Sequence, residues 1–187
     1  VASAGVAIGL LAAGLSIQEI FLVTALMNAA VAVFIYGLVP EFLWRFLAWL
    51  LIHTMYRVRT AGLEHVPEEG GCIVVCNHVS FVDWLIIAGA VRRPLRFVMD
   101  HRIAGAPVVS MLFKQGKTIP IAPEHQDKAL MQRAFERIAQ ELRAGEVVCI
   151  FPEGKLTKSG ELNTFRAGIE RIVREAPVPV VPMALKG

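Results

Sequence analysis

Residues 1–40 contain no lysine or arginine, and Glu19 is their only acid. A stretch so poor in charge is not the solvated face of a surface helix. With no positive region ahead of the apolar run, it does not read as a secretory signal peptide either. Cysteine is also scarce. Cys72, Cys76 and Cys149 all lie in apolar, β-like runs, where free cysteine behaves as a small hydrophobe, and this suits a reducing compartment. The spacing C-x3-C-x-H over 72–78 has no fourth ligand suitably placed, and an extended strand would separate the sulfurs, so no metal site is expected. Internal repeats and low-complexity segments are absent. Basic excess is small: all 19 Lys and Arg fall in 41–187 against 15 acids, dispersed along the chain, which disfavours nucleic acid as a partner.

The 187 residues suffice for one domain plus an appendage, and 55% are hydrophobic, with the excess concentrated at the start. Ile20–Val39 is an uncharged 20-residue run, long enough to cross about 30 Å of hydrocarbon as a helix. Val1–Leu15 is equally apolar but shorter, and S-I-Q-E (16–19) would form a polar hairpin between the two. A buried helix pair of a soluble protein is the alternative. Arg45, Arg57 and Arg59 follow the second run and no basic residue precedes it. By the positive-inside rule, residues 58–187 are expected on the cytoplasmic side of an inner (plasma) membrane. The aromatic segment 41–57 either lies in the membrane interface, with Trp44 and Trp49 at headgroup depth, or packs on the core. The expected division is 1–40 membrane-spanning, 41–57 interfacial or packing helix, and 58–187 a folded domain.

That domain alternates strand-like and helix-like segments. C-I-V-V-C (72–76) and V-V-C-I-F (147–151) are short, continuous and β-branched, as strands buried on both faces are. Weaker strand candidates are 95–99, 118–121 and 178–185. Helices are expected over 80–91, over 127–144 with Gly145 as its stop, and over 165–175. The order implies an α/β fold: a mostly parallel sheet flanked by helices, preceded by an apolar helical hairpin.

In such sheets ligands collect at the carboxyl ends of strands. N-H-V-S-F-V-D (77–83) leaves the strand 72–76 at such an end. Positions five apart in a regular helix lie about 140° around its axis, so His78 and Asp83 can meet only if His78 precedes the helix. Ser80 supplies a helix N-cap and Asp83 the third helical position. A carboxylate on one imidazole nitrogen fixes the tautomer and leaves the other to take a proton from a hydroxyl. The plainer reading is that Asp83 only caps the helix. A second strand end carries F-P-E-G (151–154), with Glu153 projecting a carboxylate, Gly154 allowing backbone approach to a ligand, and Lys155, Lys158 and Arg166 following. Ordinary turn chemistry accounts for the same residues.

Taken in order, N-H-x4-D and then F-P-E-G about seventy residues later, with V-P-V-V-P (178–182) after them, resemble the glycerolipid acyltransferase superfamily of the lysophosphatidate type over residues 56–187. The resemblance implies transfer of a fatty acyl group from acyl-CoA or acyl carrier protein to a lysophospholipid hydroxyl. It implies His78 as general base, Asp83 as its orienting partner, and Glu153 and Gly154 in an acceptor-binding motif, with Pro179 and Pro182 in the last motif. Asn77, Ser80, Lys117 and Lys155 complete the expected substrate contacts. Backbone N–H groups near Ser80 would stabilise the oxyanion. No metal or prosthetic group is implied, the thioester being a co-substrate. Two positions depart from the family pattern. Pro123 stands where the second block usually ends in Arg, and Leu156 where Arg commonly follows the third block's Gly. With Y-R-V-R-T-A-G (56–62) and F-P-E-G-K-L-T (151–157), these departures resemble the branch that acylates 2-acyl-glycerophosphoethanolamine, often fused behind a lysophospholipid transporter of the major facilitator type. On that resemblance the apolar leader would be the transporter's last helices, and the domain would continue past Gly187.

Overall fold

Five short strands form one parallel sheet: β1 (Cys72–Cys76), β2 (Leu95–Asp100), β3 (Ile119–Ile121), β4 (Val147–Ile150) and β5 (Val180–Met183), in the order β3-β2-β4-β1-β5. The computed structural model describes residues 9–38, 40–105, 116–157 and 161–186. Lys158, which follows F-P-E-G in the sequence, lies outside these residues, as does most of Val1–Leu15.

The β-branched run at β1 is buried on both faces because successive side chains point to opposite sides of the sheet. Cys72, Val74 and Cys76 join Leu95, Phe97, Val147 and Cys149 on one side, where Ile87 of helix α3 (Asp83–Ala90) and Val91 just after it pack against them. Ile73 and Val148 face the other side, under Ala134, Phe135, Ile138 and Leu142 of α4 (Lys128–Arg143) and Ile172 of α5 (Gly168–Glu175). Helices on both sides of a parallel sheet make the expected α/β architecture. Helix α4 begins at Asp127, whose side chain accepts the Leu130 N–H (2.8 Å). It stops before Gly145, where φ is +87° and only glycine is unstrained.

Within the sheet domain three elements differ from expectation by two residues or more. Helix α3 starts at Asp83 rather than Ser80, because the Asp83 carboxylate draws residues 78–80 out of helical geometry. Helix α5 starts at Gly168 rather than 165, since the segment before it is tied to the loop after β4 by the Arg166 N–H to Pro152 carbonyl bond (3.0 Å). Strand β5 is confined to Val180–Met183, at the sheet edge where Pro182 costs no ladder bond.

The chain divides into a unit ending at Leu43 and one running from Trp44. The first contains α1 (Ile17–Leu38), 22 residues with none buried and, at 1.5 Å per residue, about 33 Å long. It is long and apolar enough to cross a membrane. Its start is a capping box: Glu19 accepts the Ser16 N–H (2.8 Å) and Ser16 Oγ the Glu19 N–H (3.3 Å). Helix α2 (Pro40–Met55) enters the second unit at Trp44. There Ala48 and Ile52 are buried, and Ile52 and the Trp49 backbone lie close against Gly89 of α3. Phe46, Leu47, Trp49, Leu50, Leu51 and Met55 remain exposed. So α2 packs through one face and bares apolar side chains on the rest. Arg45 reaches from it to the carbonyls of Val91 (2.9 Å) and Arg92, closing the end of α3.

Gly71, just ahead of β1, has the least room among the described glycines. A Cβ there would stand 2.1 Å from the Leu142 carbonyl oxygen, in α4 backbone that has no easy way to yield. Gly71→Ala is expected to destabilise by about 1–3 kcal/mol, lowering the melting temperature by about 2–10 °C. Gly168→Ala, whose Cβ meets Phe135 at an ordinary 3.5 Å, serves as the control and should hold or raise it. Circular-dichroism melts of both variants check the contrast.

Candidate functional site

The register of the sheet brings three strand exits together. Val75 is level with Ile150 and Cys76 with Met183. The chain leaving β1 therefore runs beside the loop after β4 on one side and the segment after β5 on the other, at the carboxyl edge where an α/β sheet leaves a crevice.

In that edge His78 Nδ1 lies 2.9 Å from Asp83 Oδ2. A carboxylate only accepts, so Nδ1 carries the proton and Nε2 is the basic nitrogen. The same Oδ2 accepts the backbone N–H of Val79 (2.7 Å) and Ser80 (2.9 Å). Asp83 is 1% exposed and the His78 side chain 22%, so the imidazole reaches solvent while its partner does not. The two readings of Asp83 left open by the sequence, imidazole partner and helix-start residue, coexist in one oxygen atom. Ser80 is not the expected N-cap of the third helical position; its Oγ accepts the Val82 N–H (3.2 Å). The N–H groups of Val79, Ser80 and Val82 are thus occupied, which removes them as the oxyanion donors suggested by the sequence.

Glu153 lies beneath the histidine loop rather than in the crevice. It is 2% exposed. Its Oε1 accepts the His78 backbone N–H (2.9 Å), and its Oε2 accepts both the backbone N–H (2.8 Å) and the side-chain amide (2.7 Å) of Asn163. Burial works against its charge, but the N–H groups of Asn163 and His78, with the Asn163 amide, outweigh it and hold the carboxyl below its ordinary value. The Thr157 N–H to His78 carbonyl bond (2.8 Å) pairs the two loops a second time. Asn77 closes the other flank: its amide donates to the Leu185 carbonyl (3.0 Å) and accepts the Leu185 N–H (2.7 Å). Both Asn77 and Glu153 were expected to contact substrate, yet their polar atoms hold loops together.

Gly154 has φ +62°, and the Arg166 side chain lies over it so closely that a Cβ would meet Nε at 2.6 Å. Lys155, the next residue, is exposed. Lys117 sits in the turn before β3, three strand positions from β1 and so about 14 Å across the sheet. The structure does not bring it to the His78 edge. Phe151 stacks on His78, with ring centroids 4.2 Å apart and planes inclined by 21°. Phe151, Thr157, Asn163 and the Leu185 backbone escape sequence reasoning, because each earns its place through contacts 73 or more residues away or within a loop of no regular period. Cys76, ahead of the loop, is no rival nucleophile. Burial and the neighbouring Asp83 charge push its thiol up to about 12. Among the described residues no three His, Cys, Asp or Glu side chains group to hold a metal ion.

A family profile described as Acyltransferase matches residues 57–186. The chain is 28% identical over 148 residues to a chloroplastic 1-acyl-sn-glycerol-3-phosphate acyltransferase of Brassica napus, covering 79% of this chain and 42% of that one. It is 32% identical over 139 residues to a lyso-ornithine lipid O-acyltransferase of Pseudomonas aeruginosa, covering 74% and 51%. The crystal structure of the 1-acyl-sn-glycerophosphate (LPA) acyltransferase PlsC from Thermotoga maritima superposes with a TM-score of 0.54 at 25% identity, covering 64% of this chain and 46% of that one. The chain spans about half or less of the length of these relatives.

The Glu153 carboxylate yields a test of loop coupling. In Glu153→Gln one terminal oxygen becomes an NH2 that must face either the His78 N–H or the Asn163 donors. The variant is expected to lose about 1.5–3 kcal/mol at neutral pH. Because the folded carboxyl lies below its ordinary value of 4.5, its contribution is present above that pH and is lost as pH falls through the lower folded value. The stability gap between wild type and variant should therefore close in that acid window, as urea titrations at stepped pH would measure. A constant gap would contradict the assignment.

Proposed function

The chain belongs to the acyltransferase family, and on that premise we propose that it transfers a fatty acyl group from acyl-CoA or acyl carrier protein to the free hydroxyl of a lysophospholipid. The observation that carries the reading is the 2.9 Å contact between His78 and a buried Asp83, held at the carboxyl edge of the sheet with Nε2 available. In the proposed step Nε2 accepts the acceptor hydroxyl proton as that oxygen attacks the thioester carbonyl. The Asp83 charge stabilises the imidazolium so formed. The tetrahedral intermediate then collapses, a C–O ester bond replacing the C–S bond, and the departing thiolate takes the proton back from His78. Asn77 and Glu153 act on this reading as positioning residues.

The apolar groups around the loops suit a lipid acceptor. Phe81 is 78% exposed beside Ser80, and Leu162 and Phe165 are exposed on the segment tied to Glu153 through Asn163. Helix α1 as a membrane span and the bare face of α2 as an interfacial surface would keep the enzyme where its acceptor dissolves. The arginines after α1 favour a cytoplasmic catalytic domain.

For the headgroup, Pro123 and Leu156 in place of the family's arginines favour a phosphodiester with one charge, lysophosphatidylethanolamine, over a phosphomonoester. Lys155 would meet its phosphate. Arg166 over Gly154 favours a second reading, lysophosphatidate, since a guanidinium binds a phosphomonoester in bidentate fashion.

His78→Ala is expected to lower kcat by about 10²–10⁴-fold. Asp83→Asn should impair turnover severely while keeping the fold, because its amide oxygen still accepts the Val79 and Ser80 N–H groups. Near-wild-type turnover of Asp83→Asn would return that residue to a purely structural role. Competition between the two acceptors decides the headgroup: the kcat/KM ratio is expected to favour lysophosphatidylethanolamine roughly ten- to a hundredfold, the worth of a charged hydrogen bond. A ratio favouring lysophosphatidate establishes the second reading and leaves acyl transfer intact.

A further inference from the structure

We propose that Phe151 is a positioning residue that works through the His78 imidazole, an inference that rests on the acyl-transfer reading. Two contacts determine where that ring points. The Asp83 carboxylate holds Nδ1 at 2.9 Å, which leaves the ring free to swing about the hydrogen bond. The Phe151 ring lies against its face at 4.2 Å between centroids and 21° between planes, and this second contact removes the swing. Phe151 can do so because it is itself fixed. It follows β4 directly, packs on the apolar cluster that includes Val74, Cys76 and Cys149, and its carbonyl accepts the Gly154 N–H (3.0 Å). The strand register that sets Val75 level with Ile150 brings the two rings to the same height.

The stack also has an electrostatic consequence. An aromatic face is the negative side of the ring quadrupole and attracts a cation more than a neutral group. The imidazole becomes a cation as it takes the hydroxyl proton, so the stack is stronger in the transition state than in the ground state, which is the condition for an effect on kcat. Among the described residues the charged groups hydrogen-bonded to His78 are Asp83 and Glu153, and Cys76 below the loop remains a neutral thiol. Phe151 thus gives the imidazole an apolar contact beside its polar partners.

Phe151→Leu keeps an apolar side chain of similar reach and removes the ring, whereas Phe151→Tyr keeps the ring. Phe151→Leu is expected to lower kcat about three- to thirtyfold, with KM for acceptor and donor unchanged, and Phe151→Tyr to restore most of the loss. A spectroscopic arm needs no turnover. In wild type the carbon-bound protons of His78 should be shifted upfield by the Phe151 ring current, moving downfield in Phe151→Leu and staying in place in Phe151→Tyr. Absence of acyl transfer by the wild type would overturn the activity and with it this role, while the NMR arm would still report whether the rings stack. Unchanged kcat in Phe151→Leu, or a loss that Tyr does not restore and that follows the fall in melting temperature, would overturn the positioning role.

Discussion

A single carboxylate oxygen organises the edge of this sheet. Oδ2 of Asp83 accepts from His78 Nδ1 and from the backbone N–H groups of Val79 and Ser80. A buried carboxylate left with fewer partners would carry a large desolvation cost, so the three donors and the acceptor must be present together. That constraint holds residues 78–80 out of helical geometry, delays α3 until Asp83, and turns the imidazole toward solvent. One charge thus shapes the backbone and orients the His78 imidazole.

Glu153 repeats the device from the opposite loop. Its two oxygens join the chain after β1 to the segment before α5, across separations of 75 and 10 residues. Asn77 joins the same chain to the segment after β5 across 108 residues. The result is a set of loops whose backbone polar groups are paired despite lacking regular structure, as buried loops require. Asn77 and Glu153, which seem made for ligands in one dimension, hold loops together in three. Among the described residues the His78 ring is partly exposed at this edge, and Lys155, Arg166, Phe81, Leu162 and Phe165 are exposed on its loops.

Helix α2 shows the same economy. Through Ile52 and the Trp49 backbone it lies against Gly89, and through Arg45 it ties the end of α3, the helix that opens with Asp83. Displacing α2 would therefore be felt at the dyad through one short helix. Its remaining apolar surface and the uninterrupted apolar length of α1 are what a lipid-facing protein would keep.

Periodicity and residue chemistry pointed to the α/β class, since continuous β-branched runs at 72–76 and 147–150 alternate with the amphipathic stripe of α4. They also marked the two strand ends and allowed a His78–Asp83 pairing beside plain helix capping, since a histidine ahead of a helix start and an acid within it can meet through local geometry; the family resemblance favoured the pairing. Tertiary structure decided the rest. The burial of Glu153, the engagement of Asn77 with Leu185, the separation of Lys117 from the edge and the Phe151 stack all depend on which strands are neighbours and in what register. The order β3-β2-β4-β1-β5 places β4 and β5 beside β1 and β3 three positions away. No local pattern encodes that order, because strand adjacency is a property of the whole packed sheet.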